Sequence, residues 1–392
     1  VSDLDRLDHR FTPERLALKE AGAEFTRREI APHLQQWEDD GILPRELHKA
    51  AAAQGLLAVG YPEEAGGEGG DLLDVCALQE GFMAEGASGG LIASLFTHGI
   101  SLPHMIAHGS AYLVDTFVRP TLAGELIGSL AVTEPGGGSD VAGITTRAEL
   151  IRGDDGDSHY LINGSKTFIT SGVRADFVTT AVRTGGPGHG GVSLIVVPTD
   201  SPGFSVTRKL DKMGWHASDT AELAYVDVRV PVKNLVGEVD KGFYYIAECF
   251  VSERIALALM GYGHAFRALE LAAAYTKERE TFGKPLAANQ VVRAKLVEMR
   301  RRAEVARIYT LDVAARHVAG EDVIAEACLA KQTAVEAAVD VTNDAVQLFG
   351  GTGYMHGSEV ERHYRDARLL PIGGGATEVL TDLAARLLGY AS

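Results

Sequence analysis

The chain has 392 residues, which at about 150 residues per domain predicts two to three domains or one large multilayer unit. Hydrophobic residues make up 46% and charged residues 23%, so wholesale disorder is excluded. Lys and Arg total 37 against 53 Asp and Glu; the net charge of −16 argues against nucleic acid or an anionic membrane surface as the main partner. A local basic pocket for a phosphorylated ligand stays open. Cys76, Cys249 and Cys328 are too sparse for a disulfide framework or a CxxC zinc site, so a reducing cytoplasm is the expected compartment. The opening residues, VSDLDRLDHRFTPERL, are charged from the third position and show no apolar signal-peptide core. No stretch approaches the roughly 18 uninterrupted apolar residues of a membrane span.

Three zones follow in chain order, divided here as 1–127, 128–238 and 239–392. The first reads as helices punctuated by loops. Pro13 stands near a helix start, and Leu16, Leu18, Ala23, Phe25 and Ile30 mark the apolar side of a helix over Thr12 to Ala31. The Gly- and Glu-rich stretch Tyr61 to Asp71 reads as an exposed loop. In the second zone the period changes to two. Asn163-Gly164 between two β-type runs predicts a hairpin turn. Further strands read at Asp176 to Val182, Val192 to Val197, Phe204 to Thr207 and Glu222 to Val230, giving an antiparallel sheet domain. These strands do not alternate with helices, which excludes a Rossmann fold. In the third zone the helix period returns. Val292, Leu296, Met299 and Ala303 share one face, and Gly320 stands at the C-terminal cap. The helix Ile324 to Phe349 has small residues on most sides, as expected for an inner bundle helix or a subunit interface.

Several motif matches lack the context that would give them chemistry. Gly186-Pro187-Gly188-His189-Gly190-Gly191 fits GxGxxG, but a strand rather than a helix follows it, so a flexible turn is expected. Gly86-Ala87-Ser88-Gly89-Gly90 fits GxSxG without the strand-to-helix elbow that exposes a nucleophile. His104 and His108 lack the Glu of a metalloprotease helix, and no metal site is expected. The segment Ala131-Val132-Thr133-Glu134-Pro135-Gly136-Gly137-Gly138-Ser139-Asp140 is different. Three glycines followed by Ser and Asp, directly after an apolar strand, let a backbone approach a ligand closely and aim several N–H groups at a phosphate or a flavin edge. Taken alone, it is equally a Gly-rich turn.

With AVTEPGGGSD, DVAGITTRAE, SKTFITSG, KMGWHASDTAEL, RETFGKPLAANQ and QLFGGTGYMHGSEVERHYRDAR in this order and spacing, the sequence resembles the acyl-CoA dehydrogenase family over essentially its whole length. Gly357 departs from it, standing where the family usually has an acidic or amide residue. The resemblance implies an α+β multidomain fold: an N-terminal helical domain, a central antiparallel β-sheet or barrel domain, and a C-terminal four-helix bundle. It implies FAD as cofactor, an acyl-CoA substrate, an electron-transfer flavoprotein as partner, and a homotetramer built as a dimer of dimers. Val132 and Thr133 would face the isoalloxazine ring, Gly138 and Ser139 would lie by the pyrophosphate, and Ser139 would also border the substrate. Phe168 replaces the family's usual ring-face Trp, and Thr170 would lie near N5. Arg279, Phe282, Gln290, Gln347 and Gly351 would contact the FAD of an adjoining subunit.

The family removes the α-proton of a thioester with a Glu whose basicity is raised in a dry pocket. In many members that Glu lies near the C-terminus; here the position is Gly374, which has no side chain. The isovaleryl and long-chain branches carry the base as a Glu-Arg pair on the first helix of the C-terminal domain, matched here by Glu253-Arg254. The helical neighbours of Glu253 at −4, −3, +3 and +4 are Cys249, Phe250, Ala256 and Leu257, all apolar, so its carboxylate faces a buried or cleft region. It is either a structural ion pair with an arginine or a tuned base; the vacant position 374 and the branch match select the base. Gly374 keeps a backbone N–H that would polarise the thioester carbonyl, and Arg254 matches a family arginine near CoA. Val251 replaces an acidic residue that often contacts CoA. Glu378, four residues beyond Gly374, is expected to point elsewhere. Competing readings are a dehydrogenase of a carrier-protein thioester, an oxidase of the same fold, or a catalytically silent subunit of a mixed tetramer.

Overall fold

A computed structural model describes residues 8–152 and 157–390. Helix α1 (Pro13–Phe25) starts as its sequence dictates: Thr12 in extended conformation caps the N-terminus, its side chain accepting from Arg15 N, and Pro13 occupies the first turn. One wide turn, Thr26–Ile30, continues it and ends the predicted helix one residue early. Helices α2 (Leu34–Asp40), α3 (Arg45–Ala52), α4 (Leu72–Ala84), α5 (Gly89–Leu95) and α6 (Pro103–His108) complete most of the first zone. Backbones of α1 and α4 nearly touch, because a methyl carbon on Gly81 would lie 1.9 Å from Lys19 O and one on Gly22 2.4 Å from Leu78 O. The stretch Tyr61 to Asp71 is less exposed than expected. It folds on itself through a Tyr61–Gly69 bridge and a short turn at Glu63–Ala65, with Ala65 in the core.

The second zone forms one seven-stranded sheet from β1 (Gly128–Ala131), β2 (Arg147–Arg152), β3 (Ser158–Thr170), β4 (Phe177–Arg183), β5 (Val192–Pro198), β6 (Phe204–Lys209) and β7 (Thr220–Pro231). Strand β4 has β5 on one edge and β1, then β2, on the other; the order continues β3, β7, β6. The pairing is antiparallel except where β1 and β2 run parallel to β4, which corrects the purely antiparallel expectation. Strands β4 and β5 are buried on both faces, and period-two alternation divides their side chains. Phe177, Ala181, Leu194 and Val196 pack on the N-terminal helices, while Val178, Val182, Ile195 and Val197 pack on the inner side of β3 and β7.

The predicted Asn163-Gly164 hairpin does not form. Strand β3 runs through both residues, and the pairing register with β7 shifts between Ile162 and Gly164. Asn163 exchanges hydrogen bonds of 3.0 and 2.9 Å with Asp227 across this bulge. Gly164 takes φ +152, and a Cβ there would lie 2.5 Å from Thr146 Oγ1. The glycine thus serves a close approach inside a strand rather than a turn.

The third zone is helical: α7 (Gly242–Glu278), α8 (Gln290–Val318), α9 (Ile324–Phe349), α10 (Glu359–Ala367) and α11 (Thr377–Leu387), with a two-residue-per-strand hairpin, β8 (Glu280–Thr281) and β9 (Lys284–Pro285), between α7 and α8. Gly320, at φ +83, follows the end of α8 as expected. Helix α9 packs against α7, α8, α10 and α11, which accounts for its small buried residues Ala327, Ala330, Ala334, Ala338 and Ala345. A methyl on Gly261 of α7 would meet Ala334 O of α9 at 2.8 Å. Asp366 of α10 ties the three zones together, accepting from Gly89 N at 2.9 Å and Trp215 N at 2.6 Å. Among the described residues no single helix is long and apolar enough to cross a membrane, and no group of His, Cys, Asp and Glu is placed to hold a metal ion.

Candidate active site

Glu253 sits in the fourth turn of α7, and the tail loop between α10 and α11 brings Gly374 directly opposite it. A methyl carbon on Gly374 would lie 3.5 Å from Glu253 Oε1 and 2.1 Å from Leu257 Cδ1. The place where a tail side chain would emerge is therefore filled by Leu257 and faced by the Glu253 carboxylate. Two positions 121 residues apart in the chain converge on one point. Among the described residues Glu253 makes no ion pair or hydrogen bond, so it is not the structural partner of an arginine. Desolvation pushes its carboxyl above the usual range, against the opposing pull of Lys331 and then Arg254. Gly374 has φ +60, and its N–H donates to no group of the described chain.

Arg254, next on the helix, is 5% exposed. Its guanidinium stacks 5.1 Å from the Phe250 ring, and its Nε has no partner. An unpartnered buried guanidinium is costly unless a ligand's acceptor completes it. Val251 is buried in the bundle, and Glu378 is exposed at the start of α11. Neither adds an acid to this pocket.

A second cluster lies at the end of β1 and along β3. Glu134 is buried, and its carboxylate receives Thr145 N and Oγ1 at 2.7 Å each, Thr146 N at 2.8 Å and Lys166 Nζ at 2.9 Å. Burial opposes its ionisation, but Lys166 and the threonine donors outweigh burial and hold the carboxyl down at about 2. Lys166, fully buried and pulled down to about 8 by desolvation, also donates to Val132 O at 2.9 Å. Thr167 N donates to Thr133 O at 3.0 Å. This pins the Val132–Glu134 segment to β3. Beyond it Gly136 and Gly137 are open, with nothing within 4 Å of where a Cβ would be, and Gly138 and Ser139 are exposed. Phe168 takes φ +59 within the second register shift of β3 against β7, and its side chain stands 68% exposed; Val132, Thr133 and Thr170 are half-buried. An outward aromatic ring, a rigid strand edge and an open glycine turn fit a flat heteroaromatic ring carrying a pyrophosphate. Sequence reasoning missed Lys166 and Lys331; each reads locally as a charged residue on a strand or a helix, and only the fold buries it.

The remaining sequence-selected residues form a third set. Arg279 and Phe282 lie on the β8–β9 hairpin, Gln290 starts α8, and Gln347 and Gly351 mark the end of α9; all are exposed, Phe282 completely. Tyr275 and Phe349 stack at 4.1 Å beneath them. Ser88 caps α5 and donates to Glu38 at 2.6 Å, and Gly186 to Gly191 runs into β5.

A half-buried, unpaired carboxylate in one place and an open glycine turn beside an outward aromatic ring in another are the features that a flavin-dependent oxidoreductase would need. Family models for the N-terminal, middle and C-terminal domains of acyl-CoA dehydrogenases match residues 12–125, 129–228 and 240–389. The long-chain specific acyl-CoA dehydrogenase of Sus scrofa mitochondria is 37% identical over 96% of this chain and 86% of its own length. Among solved structures, a probable acyl-CoA dehydrogenase from Mycobacterium abscessus is 56% identical with a TM-score of 0.95, covering 97% and 100% of the two chains. Butyryl-CoA dehydrogenase from Megasphaera elsdenii is 32% identical with a TM-score of 0.91, covering 97% and 100%. The chain belongs to the acyl-CoA dehydrogenase family: it is an FAD-dependent oxidoreductase that dehydrogenates acyl-CoA.

Proposed function

We propose that the protein converts an acyl-CoA thioester to its trans-2-enoyl form with Glu253 as the base that takes the α-proton. The observation that carries this reading is the convergence of the unpaired Glu253 carboxylate on the side-chain-free Gly374. The apolar surroundings raise the basicity of Glu253 toward the working pH. The free N–H of Gly374 donates to the thioester oxygen and stabilises the charge that develops on it as the proton leaves. Arg254 supplies its unpartnered guanidinium to the ligand, and Ser139 borders both ligands.

Val132, Thr133, Gly138, Ser139, Phe168 and Thr170 hold the FAD. When bound, FAD supplies the acceptor for the β-hydrogen and its electron pair, at flavin N5. Arg279, Phe282, Gln290, Gln347 and Gly351 serve the FAD of a neighbouring subunit in a homotetramer, which gives their exposure in the single chain a use. We place the domain divisions at 127/128 and 238/239, electron-transfer flavoprotein as electron acceptor, and the cytoplasm as compartment.

Glu253→Gln tests the reading. The variant keeps its FAD, while anaerobic bleaching of the flavin by butyryl-, palmitoyl- or isovaleryl-CoA slows by about 10²–10⁴-fold, the usual contribution of a positioned base. Bleaching at the wild-type rate would refute the assignment. Peroxide formed under air by the wild type, at the rate of turnover, would make the protein an oxidase.

A further inference from the structure

Lys331 lies in the third turn of α9 and is 1% exposed. Its ammonium donates to Gly373 O at 2.5 Å and to Gly375 O at 2.6 Å, the two carbonyls that flank Gly374. Among the described residues no carboxylate lies within ion-pairing distance of it, so its charge is not neutralised by a contact partner. Holding a loop by two carbonyls does not require a charge: a neutral amide would do it at far lower desolvation cost. Among the described residues the carboxylate on which this charge acts is Glu253.

We infer that Lys331 is a positioning residue for proton abstraction: it clamps the loop that presents the Gly374 N–H and supplies the buried positive charge against which Glu253 ionises. This rests on Glu253 being the base. The groups facing that carboxylate are few. Arg254 and Cys249 come from its own helix, and the Cys249 thiol is pushed up to about 12 by burial and stays neutral. The tail loop contributes only backbone, and α8 contributes His317, 3.4 Å from Ser252 Oγ. From α9 come Lys331 itself and Cys328, whose thiol burial also raises. Lys331 and Arg254 are thus the two cations, and only Lys331 also touches the loop.

The test uses the FAD-loaded enzyme. The rate of anaerobic flavin bleaching by the best of butyryl-, palmitoyl- and isovaleryl-CoA is followed against pH, beside hydrogen exchange of the segment 369–377. In Lys331→Met the acid limb of the bleaching rate moves to higher pH by about one unit or more, as expected when a nearby opposite charge is removed. At pH values below both limbs this is about a tenfold loss per unit, and the tail loop exchanges faster. Lys331→Gln moves the limb in the same direction while slowing loop exchange relative to Met; Lys331→Arg leaves the limb where the wild type has it. An unmoved limb in both Met and Gln overturns the inference. So does failure of all three variants to retain FAD, which would make Lys331 a folding residue only. Glu253→Gln, run in parallel, separates the two ideas: if it bleaches at the wild-type rate the base assignment fails, and if it does not while the Lys331 limbs stay put, only the inference fails.

Discussion

At the scale of single residues, Gly374 is constrained twice. Its φ of +60 costs a side-chain-bearing residue about 1–2 kcal/mol, and a methyl there runs into Leu257 Cδ1. Gly374→Ala is therefore expected to lose about 1–3 kcal/mol of stability in chemical denaturation. Leu257→Ala in the same chain should recover the packing part and leave the backbone part, which appears as a favourable coupling in a double-mutant cycle. Additive losses would show that Leu257 yields freely and that strain alone matters. Four apolar helical neighbours marked Glu253 in the sequence as an acid facing a buried or cleft region, and the family resemblance, not that pattern, singled it out as the base. Whether it paired with an arginine was not legible there, since that depends on a chain segment more than a hundred residues away.

Among elements, the junction of β1 with β3 decides whether the shelf proposed for FAD exists. Lys166 joins β3 to a segment more than thirty residues earlier in the chain, donating to both Val132 O and Glu134 Oε1 inside the protein. Removing one member of a buried pair strands the other, at a typical cost of about 3–5 kcal/mol. Lys166→Met should thus lower the denaturation midpoint and release FAD, read as loss of flavin absorbance on gel filtration. Adding Glu134→Gln should restore part of the stability, because the stranded charge is gone. Strand positions were legible from period-two runs, but the Asn163-Gly164 bulge was not. The dipeptide satisfies the local demands of a hairpin turn, and pairing with β7, set by residues 220–231, draws it into a continuous strand.

For the whole molecule, acid sensitivity follows from buried imidazoles. Desolvation lowers His48 to about 3, and His98 and His104 to about 4, below the ordinary 6.5. Each is neutral in the fold and protonates more readily once unfolded. The stability they contribute is complete above pH 6.5 and is withdrawn as pH falls toward 4, by up to about 1.4 kcal/mol per unit for each. Glu134, held down at about 2, adds a further loss between pH 4.5 and 2. The thermal midpoint should fall steeply from pH 7 to 5; a level profile would show that these histidines gain water or partners on protonation.

Periodicity alone determined the helical–β–helical order, the limits of α9, and the apolar setting of Glu253, because each depends on residues a few positions apart. Motif order over the full length carried the family and its cofactor. Tertiary structure decided what arises between distant segments: that Leu257 fills the space above Gly374, that the Glu253 carboxylate is left without a partner, and that Lys166 and Lys331 lie inside. Burial of a charge is a property of what packs around it, and no local window of sequence contains that surrounding.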